Sequence, residues 1–446
     1  PAHADARARA AGARGRADLV SGPFFVGDRS CLRIPADPAG LAEAGPEFLT
    51  TAFHAAGVLA PDNSVARIDL LQEVCGGSTG RKALLDISYA QPQDGLPRRL
   101  FVKFSRDFDE PTRDHGRTQM AAEVDFAELA RQPDFPIKVP ATQFADYQRD
   151  SGSGVLISER IEYGANGIEP HREKCLDYEM SSFVDHYRAI VSALGRLAGT
   201  HRSGRLPEHL TARFPVDLQN ATVGDPPPIT PERLHRRLDR LAEFAELAPA
   251  LLPASVRAPA FLTRLRQQAA QVLTLQTMIW QDLEVTADHI ALCHWNANVD
   301  NAWFWTDGEQ LRCGLMDWGC VSQMNVAMAL WGALSAAENE LWADHFDDLV
   351  DVFATEYRDA GGPEIDRAAL VRQVLVYAAL MGITWLLDVP ALVRATVPDA
   401  DRTTDRHHPA IKGDERVRAP LQMLTNVLSL WETHDVDAAL AALRQT

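Results

Sequence analysis

Apolar and polar positions alternate or recur in patterns that change near residue 164. Val65–Val74 (VARIDLLQEV) has apolar residues on alternating positions, the pattern of a strand half covered by a core. Residues 82–89, 100–104 (LFVKF) and 154–162 (GVLISERIE) read as further strands. A short helix is expected over 47–59, ended near Gly57 and Pro61, and another over roughly 113–131. Beyond Gly164 the chain changes character. Residues 165–180 are polar and irregular, and then positions 187, 190, 191, 194, 197 and 198 are apolar within 183–201. That three-and-four spacing marks one buried stripe of a helix. Residues 205–230, with Pro226-Pro227-Pro228, read as a loop, and 231–248 and 259–280 as two long helices. The apolar run 325–337 (NVAMALWGALSAA) reads as a core helix. Helices are also expected over 338–357, 364–387 and 418–444, the last broken near His434. Residues 396–416 are a polar loop in which His407 and His408 are read as solvated.

Composition narrows the class. The chain has 446 residues, 46% hydrophobic and 24% charged, enough for two or three domains with ample core. A net charge of -17 argues against a general nucleic-acid or anionic-membrane binder and fits a cationic substrate only mildly. Six cysteines are sparse and unpaired in spacing, which fits a reducing, cytoplasmic setting. Cys293, His294, Cys313 and Cys320 lack the tight spacing of zinc sites, and the three cysteines read as buried thiols. No stretch approaches the ~20 apolar residues of a membrane helix; the best, 378–393, is interrupted by Asp388 and Pro390. Residues 1 to about 20 are Ala/Arg-rich, lack a signal-peptide core and are expected to be a disordered tail.

Chemistry concentrates in residues 293–319, CHWNANVDNAWFWTDGEQLRCGLMDWG. A polar loop from His294 leads to an aromatic strand at 302–305. A turn at Thr306-Asp307-Gly308 follows, then a second strand over 311–316 that stops at Asp317-Trp318-Gly319. Two strands joined by a Gly-bearing turn make a hairpin. Its open end would bring Asn301 and Asp317 together, an amide oxygen and a carboxylate, hard ligands suited to Mg²⁺ beside phosphates.

Two earlier features point the same way. Gly76-Gly77-Ser78-Thr79-Gly80 joins two strands, a layout in which backbone N–H groups can approach phosphate oxygens, although ordinary hairpin turns share it. It is not a P-loop, because Arg81-Lys82 follows without the required spacing. Lys103 sits inside an apolar strand, and a buried ammonium needs a partner. Glu123 on the next helix offers one, with Glu128 as a rival.

His294, then Asn301, then Asp317-Trp318 resembles the catalytic and metal-binding segment of the aminoglycoside phosphotransferase and choline kinase-like family. The family pattern is His-Gly-Asp, four residues, Asn, a strand, a turn, and Ile-Asp-Trp or Ile-Asp-Phe. The resemblance covers about 65–337. It implies an α+β, bilobal protein-kinase-like fold: a small antiparallel-sheet lobe over 21–162, a larger mainly helical lobe over 163–446, and a site in the cleft between them. It also implies ATP and Mg²⁺ as cofactors and a small-molecule hydroxyl as acceptor. Lys103, paired with Glu123, would contact the α/β-phosphates, with Gly76 to Gly80 covering them. The backbone around Glu159 to Ile161 would meet the adenine edge, and Asn301 and Asp317 would hold the metal. His294 would order the loop, and the 205–290 region would build the acceptor pocket. One position departs: the family's catalytic Asp falls on Asn296, a carboxamide that cannot take the acceptor's proton, and Asp300 is the nearby carboxylate that stands as the candidate substitute. Two classes therefore stand, a small-molecule kinase and a nucleotide- or ligand-binding pseudokinase.

Overall fold

The computed structural model describes residues 24–74, 76–77, 79–221 and 228–444. The expected tail over 1 to about 20 lies outside them, as do Cys75 and Ser78 of the glycine-rich turn. The chain divides into two compact units. The first holds the chain up to Arg131 and again Pro140–Ile161; the second holds Gln132–Val139 and everything from Glu162 onward. A single boundary near 162 had been expected. Residues 132–139 instead join the second unit, where Lys138 bridges Gly314 in parallel and its carbonyl accepts from Leu315 N at 3.0 Å.

The first unit is built on a five-stranded sheet of order β3-β4-β5-β7-β6, with β3 at Val65–Val74, β4 at Arg81–Tyr89, β5 at Arg99–Phe104, β6 at Thr142–Gln148 and β7 at Ser153–Glu159. Every pairing is antiparallel. Leu100, Val102 and Phe104 alternate onto one face, where they join Leu85, Ile87, Val155 and Ile157 in the main core. Helix α1 (Pro38–Ala55) covers that face with Leu41, Leu49 and Phe53. It begins before the expected residue 47 because the Asp37 carboxylate caps it, accepting from Gly40 N at 2.7 Å. A kink at Gly45 (φ 64°) precedes Pro46 inside it. A preceding hairpin, β1 (Phe24–Val26) with β2 (Arg33–Pro35), adds Phe25 and Ile34 to the same core; three-residue strands are too short to show a period.

Between β5 and β6 the expected helix is divided into α2 (Pro111–His115), a 3₁₀ turn at Gly116–Gln119 and α3 (Met120–Leu129). Met120 and Val124 of α3 pack with Tyr147 and Leu156 in a separate cluster. Strand β6, TQFADYQ, is absent from the sequence expectation because its polar content masks it. Asp146 within it is fully buried and accepts from the backbone N–H groups of Ser30 (2.8 Å) and Tyr147 (2.7 Å).

The second unit is mainly helical: α4 (Phe183–Arg202), α5 (Glu208–Thr211), α6 (Pro231–Leu247), α7 (Pro259–Val285), α8 (Val326–Leu334), α9 (Phe346–Asp359), α10 (Arg367–Thr384), α11 (Val389–Thr396), α12 (Pro409–Lys412), α13 (Glu415–Thr433) and α14 (Val436–Ala442). Two small antiparallel pairs are set among them: β8 (Ile290–His294) with β11 (Val321–Asn325), and β9 (Ala302–Asp307) with β10 (Gln310–Leu315). Arg367–Thr396 is long and apolar enough to cross a membrane by length and composition, a correction to the expectation that no stretch approached this. Its most apolar window is 83% buried inside the fold, where α10 supplies core residues such as Val374 and Tyr377. The architecture is α+β and bilobal: a small antiparallel-sheet unit with a helix between its third and fourth strands in sequence, and a larger mainly helical unit. That is the protein-kinase-like layout.

Candidate functional site

In the first unit, Lys103 lies on the face of β5 opposite Val102 and Phe104. Its Nζ donates to Glu123 Oε2 on α3 at 2.9 Å, with the two side chains only 14% and 8% exposed. Of the two candidate partners, Glu123 holds Lys103, whereas Glu128 pairs with Arg29 at 3.3 Å. The glycine-rich turn has Gly76, Gly77 and Gly80 at φ 137°, 76° and 54°, backbone that L side chains adopt only at a cost. Lys82, assigned no role from the sequence, shapes this turn: its ammonium donates to the carbonyls of Gly76 (3.1 Å) and Thr79 (3.2 Å). Glu159 ends β7, and its N–H is spent on Ala141 O at 2.9 Å; Arg160 N is spent on Arg99 O at 3.0 Å, while Ile161 is half-buried at the end of the unit.

In the second unit the hairpin has the expected form. Ala302 pairs with Leu315 at its open end, and Met316 N donates to Asn301 O at 2.9 Å, which brings Asn301 and the segment entering Asp317 together. Asn301 Nδ2 donates to Asn296 O at 2.8 Å, so Oδ1 is the atom left for a ligand. Asp317 is exposed and left-handed (φ 64°, ψ 62°), uncommon outside glycine though tolerated by Asp. Such backbone recurs at ligand clamps. Among the described residues no group of three or more His, Cys, Asp or Glu is arranged to hold a metal. An amide oxygen and one carboxylate still suit Mg²⁺, which keeps waters and phosphates as its remaining ligands.

His294 ends β8 fully buried. Its Nδ1 accepts from Asn296 N at 3.1 Å, so Nε2 carries the proton and donates to Met316 O at 2.9 Å. The imidazole thus ties the polar loop to the end of β10, and its ring lies 4.5 Å from that of Trp318. Cys293 and Cys313 are buried, and burial pushes the Cys313 thiol up to about 12. Asn296 is half-buried, and its Oδ1 accepts from Asn298 Nδ2 at 2.7 Å. Asp300 Oδ2 lies 3.3 Å from Lys174 Nζ, and its backbone carbonyl accepts from His171 Nε2 at 3.1 Å. Burial pulls the Lys174 ammonium down, but the carboxylates of Asp300 and Glu415 outweigh it and hold it above the ordinary lysine range. Lys174 was not a sequence candidate: it stands in an irregular polar segment with no periodicity to mark it. Asn298 Oδ1 and Asp300 Oδ1 are both buried without a hydrogen-bond partner, two acceptors beside Asn296 that a bound donor or cation would satisfy.

No family model matches the chain, and no curated protein matches it. Among solved structures it is similar to a spectinomycin phosphotransferase in complex with ADP and spectinomycin (9% identity, TM-score 0.37, 85% of this chain and 94% of that one). It is also similar to a microcompartment-associated aminopropanol kinase (14% identity, TM-score 0.39, 84% and 95%) and to a Plasmodium vivax ethanolamine kinase (12% identity, TM-score 0.39, 90% and 90%). At these identities and scores the likenesses carry no further argument. The chain's own strand order and helix placement make it an α+β protein of protein-kinase-like fold.

Proposed function

We propose that the protein is an ATP-dependent phosphotransferase acting on a hydroxyl of a small molecule, with Asn296 where such enzymes carry the catalytic Asp. The observation that carries this reading is the Lys103–Glu123 pair: a nearly buried ion pair at 2.9 Å whose ammonium has a fixed position. A buried pair of this kind does little for stability against an apolar alternative, so its retention calls for another role. Lys103 would neutralise the α/β-phosphates, with the turn at Gly76 to Gly80 covering them. Asn301 Oδ1 and Asp317 would hold Mg²⁺, which would supply positive charge against the charge developing on the transferred phosphoryl group. The glutamate fixes the lysine, and His294 fixes the loop that carries Asn296, so positioning and charge neutralisation are supplied by residues already locked in place.

Proton transfer from the acceptor hydroxyl is the weak step. Asn296 cannot take the proton, and the Asp300 carboxylate is ion-paired to Lys174. General-base help is typically worth ~10²–10⁴-fold, so its loss slows such a reaction without removing it. The same two facts favour a second reading, a nucleotide- or ligand-binding pseudokinase without turnover. Titration of Mg-ATP by calorimetry and thermal shift tests both. Saturable, Mg-dependent binding is expected, and phosphate release in the presence of hydroxyl acceptors then separates enzyme from pseudokinase. Absence of binding at millimolar ATP would overturn both nucleotide readings.

A further inference from the structure

A cavity of about 250 Å³ lies within the second unit, apart from the residues assigned above, between the 175–178 segment, residues 250–253 and the 406–425 region. Engineered cavities of about 150 Å³ take benzene, so this one has room for a substituted ring. Its wall is apolar along Leu251, Leu252 and Ile411, and its charged side chains are Arg406, Lys412 and Arg418. No Asp or Glu lines it. That is a local reversal in a chain of net charge -17.

The three cations are held in place by carboxylates that stand outside the lining. Arg406 makes a two-pronged pair with Glu338 (2.8 Å at both Nη atoms), Arg418 reaches Glu173 at 2.9 Å, and Lys412 reaches Glu179 at 2.6 Å. Arg418 is further fixed on the carbonyls of Lys174 (2.9 Å) and Lys412 (2.7 Å). A guanidinium has five N–H donors, so one carboxylate does not exhaust it, and the cations lie nearer to an occupant than their counterions do. Tyr178 is the centre of the cluster. The Arg406 guanidinium sits 4.5 Å from its ring centroid and Lys412 Nζ 5.9 Å. Its hydroxyl oxygen is buried without a hydrogen-bond partner. A buried hydroxyl left unpaired is costly and is rare without a reason.

We propose that this cavity is a binding site for a small organic anion, an aromatic or branched carboxylate. Its apolar body would pack on Leu251, Leu252 and Ile411. Its carboxylate would meet Arg406 and Lys412 and accept the Tyr178 hydroxyl. The site does not depend on phosphotransfer. It does share a wall with the loop region: Cys175, which lines it, follows Lys174, the partner of Asp300.

Calorimetric titration of the full chain with benzoate, benzamide and benzylamine tests this. Saturable benzoate binding is expected, with benzamide and benzylamine weaker by roughly ten-fold or more, since only the carboxylate meets the cations. Lys412→Glu changes an exposed rim residue and should weaken benzoate by about ten-fold; Leu252→Trp should abolish binding by filling the cavity. Tyr178→Phe, which removes only the unpaired hydroxyl, should weaken it several-fold with the melting temperature unchanged or raised. Equal binding of benzamide, undiminished benzoate binding in a folded Leu252→Trp protein, or no benzoate binding at all would overturn the proposal.

Discussion

At Asn296 the proposed phosphotransfer turns on a single amide where a carboxylate would act as base. Its Oδ1 accepts from Asn298 and its N–H donates to His294. A carboxylate in its place keeps both bonds, so Asn296→Asp is sterically conservative. If the base is the only deficit, kcat should rise by about 10²-fold or more with KM for ATP little changed. Steady-state kinetics with a responsive acceptor reads this directly, and no gain would mean that the loop lacks more than a base. Asp177 makes a second residue-scale prediction. It is fully buried, and burial pushes its carboxyl up to about 7 against the bond from Tyr187 Oη at 2.8 Å. The folded state thus holds this proton more tightly than the unfolded state does. The group's stabilising contribution is fully present below the unfolded carboxylate range near pH 4 and is lost as pH rises toward about 7. Melting curves across that window should show Asp177→Asn less sensitive to pH than the parent.

At the scale of elements, the question is what holds each functional group still. Lys103 depends on a strand that alternates correctly and a helix that presents Glu123. Lys103→Met leaves a carboxylate 7% exposed without this partner, which should destabilise the protein by about 3–5 kcal/mol and raise the Kd for Mg-ATP. The double substitution Lys103→Met with Glu123→Leu should recover much of the stability and none of the nucleotide affinity. Chemical denaturation and calorimetry on the two variants separate these effects. The His294 loop depends on α8, because a Cβ on Gly332 would stand 1.7 Å from the Trp295 carbonyl oxygen, a backbone atom that cannot rotate aside. Gly332→Ala should therefore cost roughly 1–3 kcal/mol and disturb Mg-ATP binding from outside the site. A Gly332→Ala protein with parental stability would show that the loop yields more readily than its packing implies.

For the whole molecule, ligand and metal act through mass action. If Mg-ATP binds the native state alone, saturation at about 100 times Kd adds ~2.7 kcal/mol, a shift of a few degrees in melting temperature. EDTA should remove that shift, because the proposed nucleotide site needs the metal held by Asn301 and Asp317. Two compact units also mean that the melting curve need not be two-state, and calorimetric and van't Hoff enthalpies should be compared before any single stability is quoted.

The sequence by itself determined what local chemistry can determine. Apolar patterning marked β3, β4, β5 and β7 as strands and the three-and-four stripe marked α4; in β4, β5 and α4 the pattern follows from burying one face of a regular element, whereas β3 buries only Val65. The Thr306-Asp307-Gly308 turn and its flanking strands specified the hairpin and therefore the nearness of Asn301 to the end of β10. The sequence favoured Glu123 over Glu128, but the ion pair itself was decided only in three dimensions, by which turn of α3 faces β5. So were β6, whose buried Asp146 is tolerated because backbone N–H groups surround it, and the transfer of residues 132–139 to the second unit through a bridge to Gly314. Lys174, Tyr178 and Arg406 were illegible in the sequence for the same reason. They sit in segments without period, with Arg406 more than 200 residues from the other two, and acquire meaning only when packing removes water from between them.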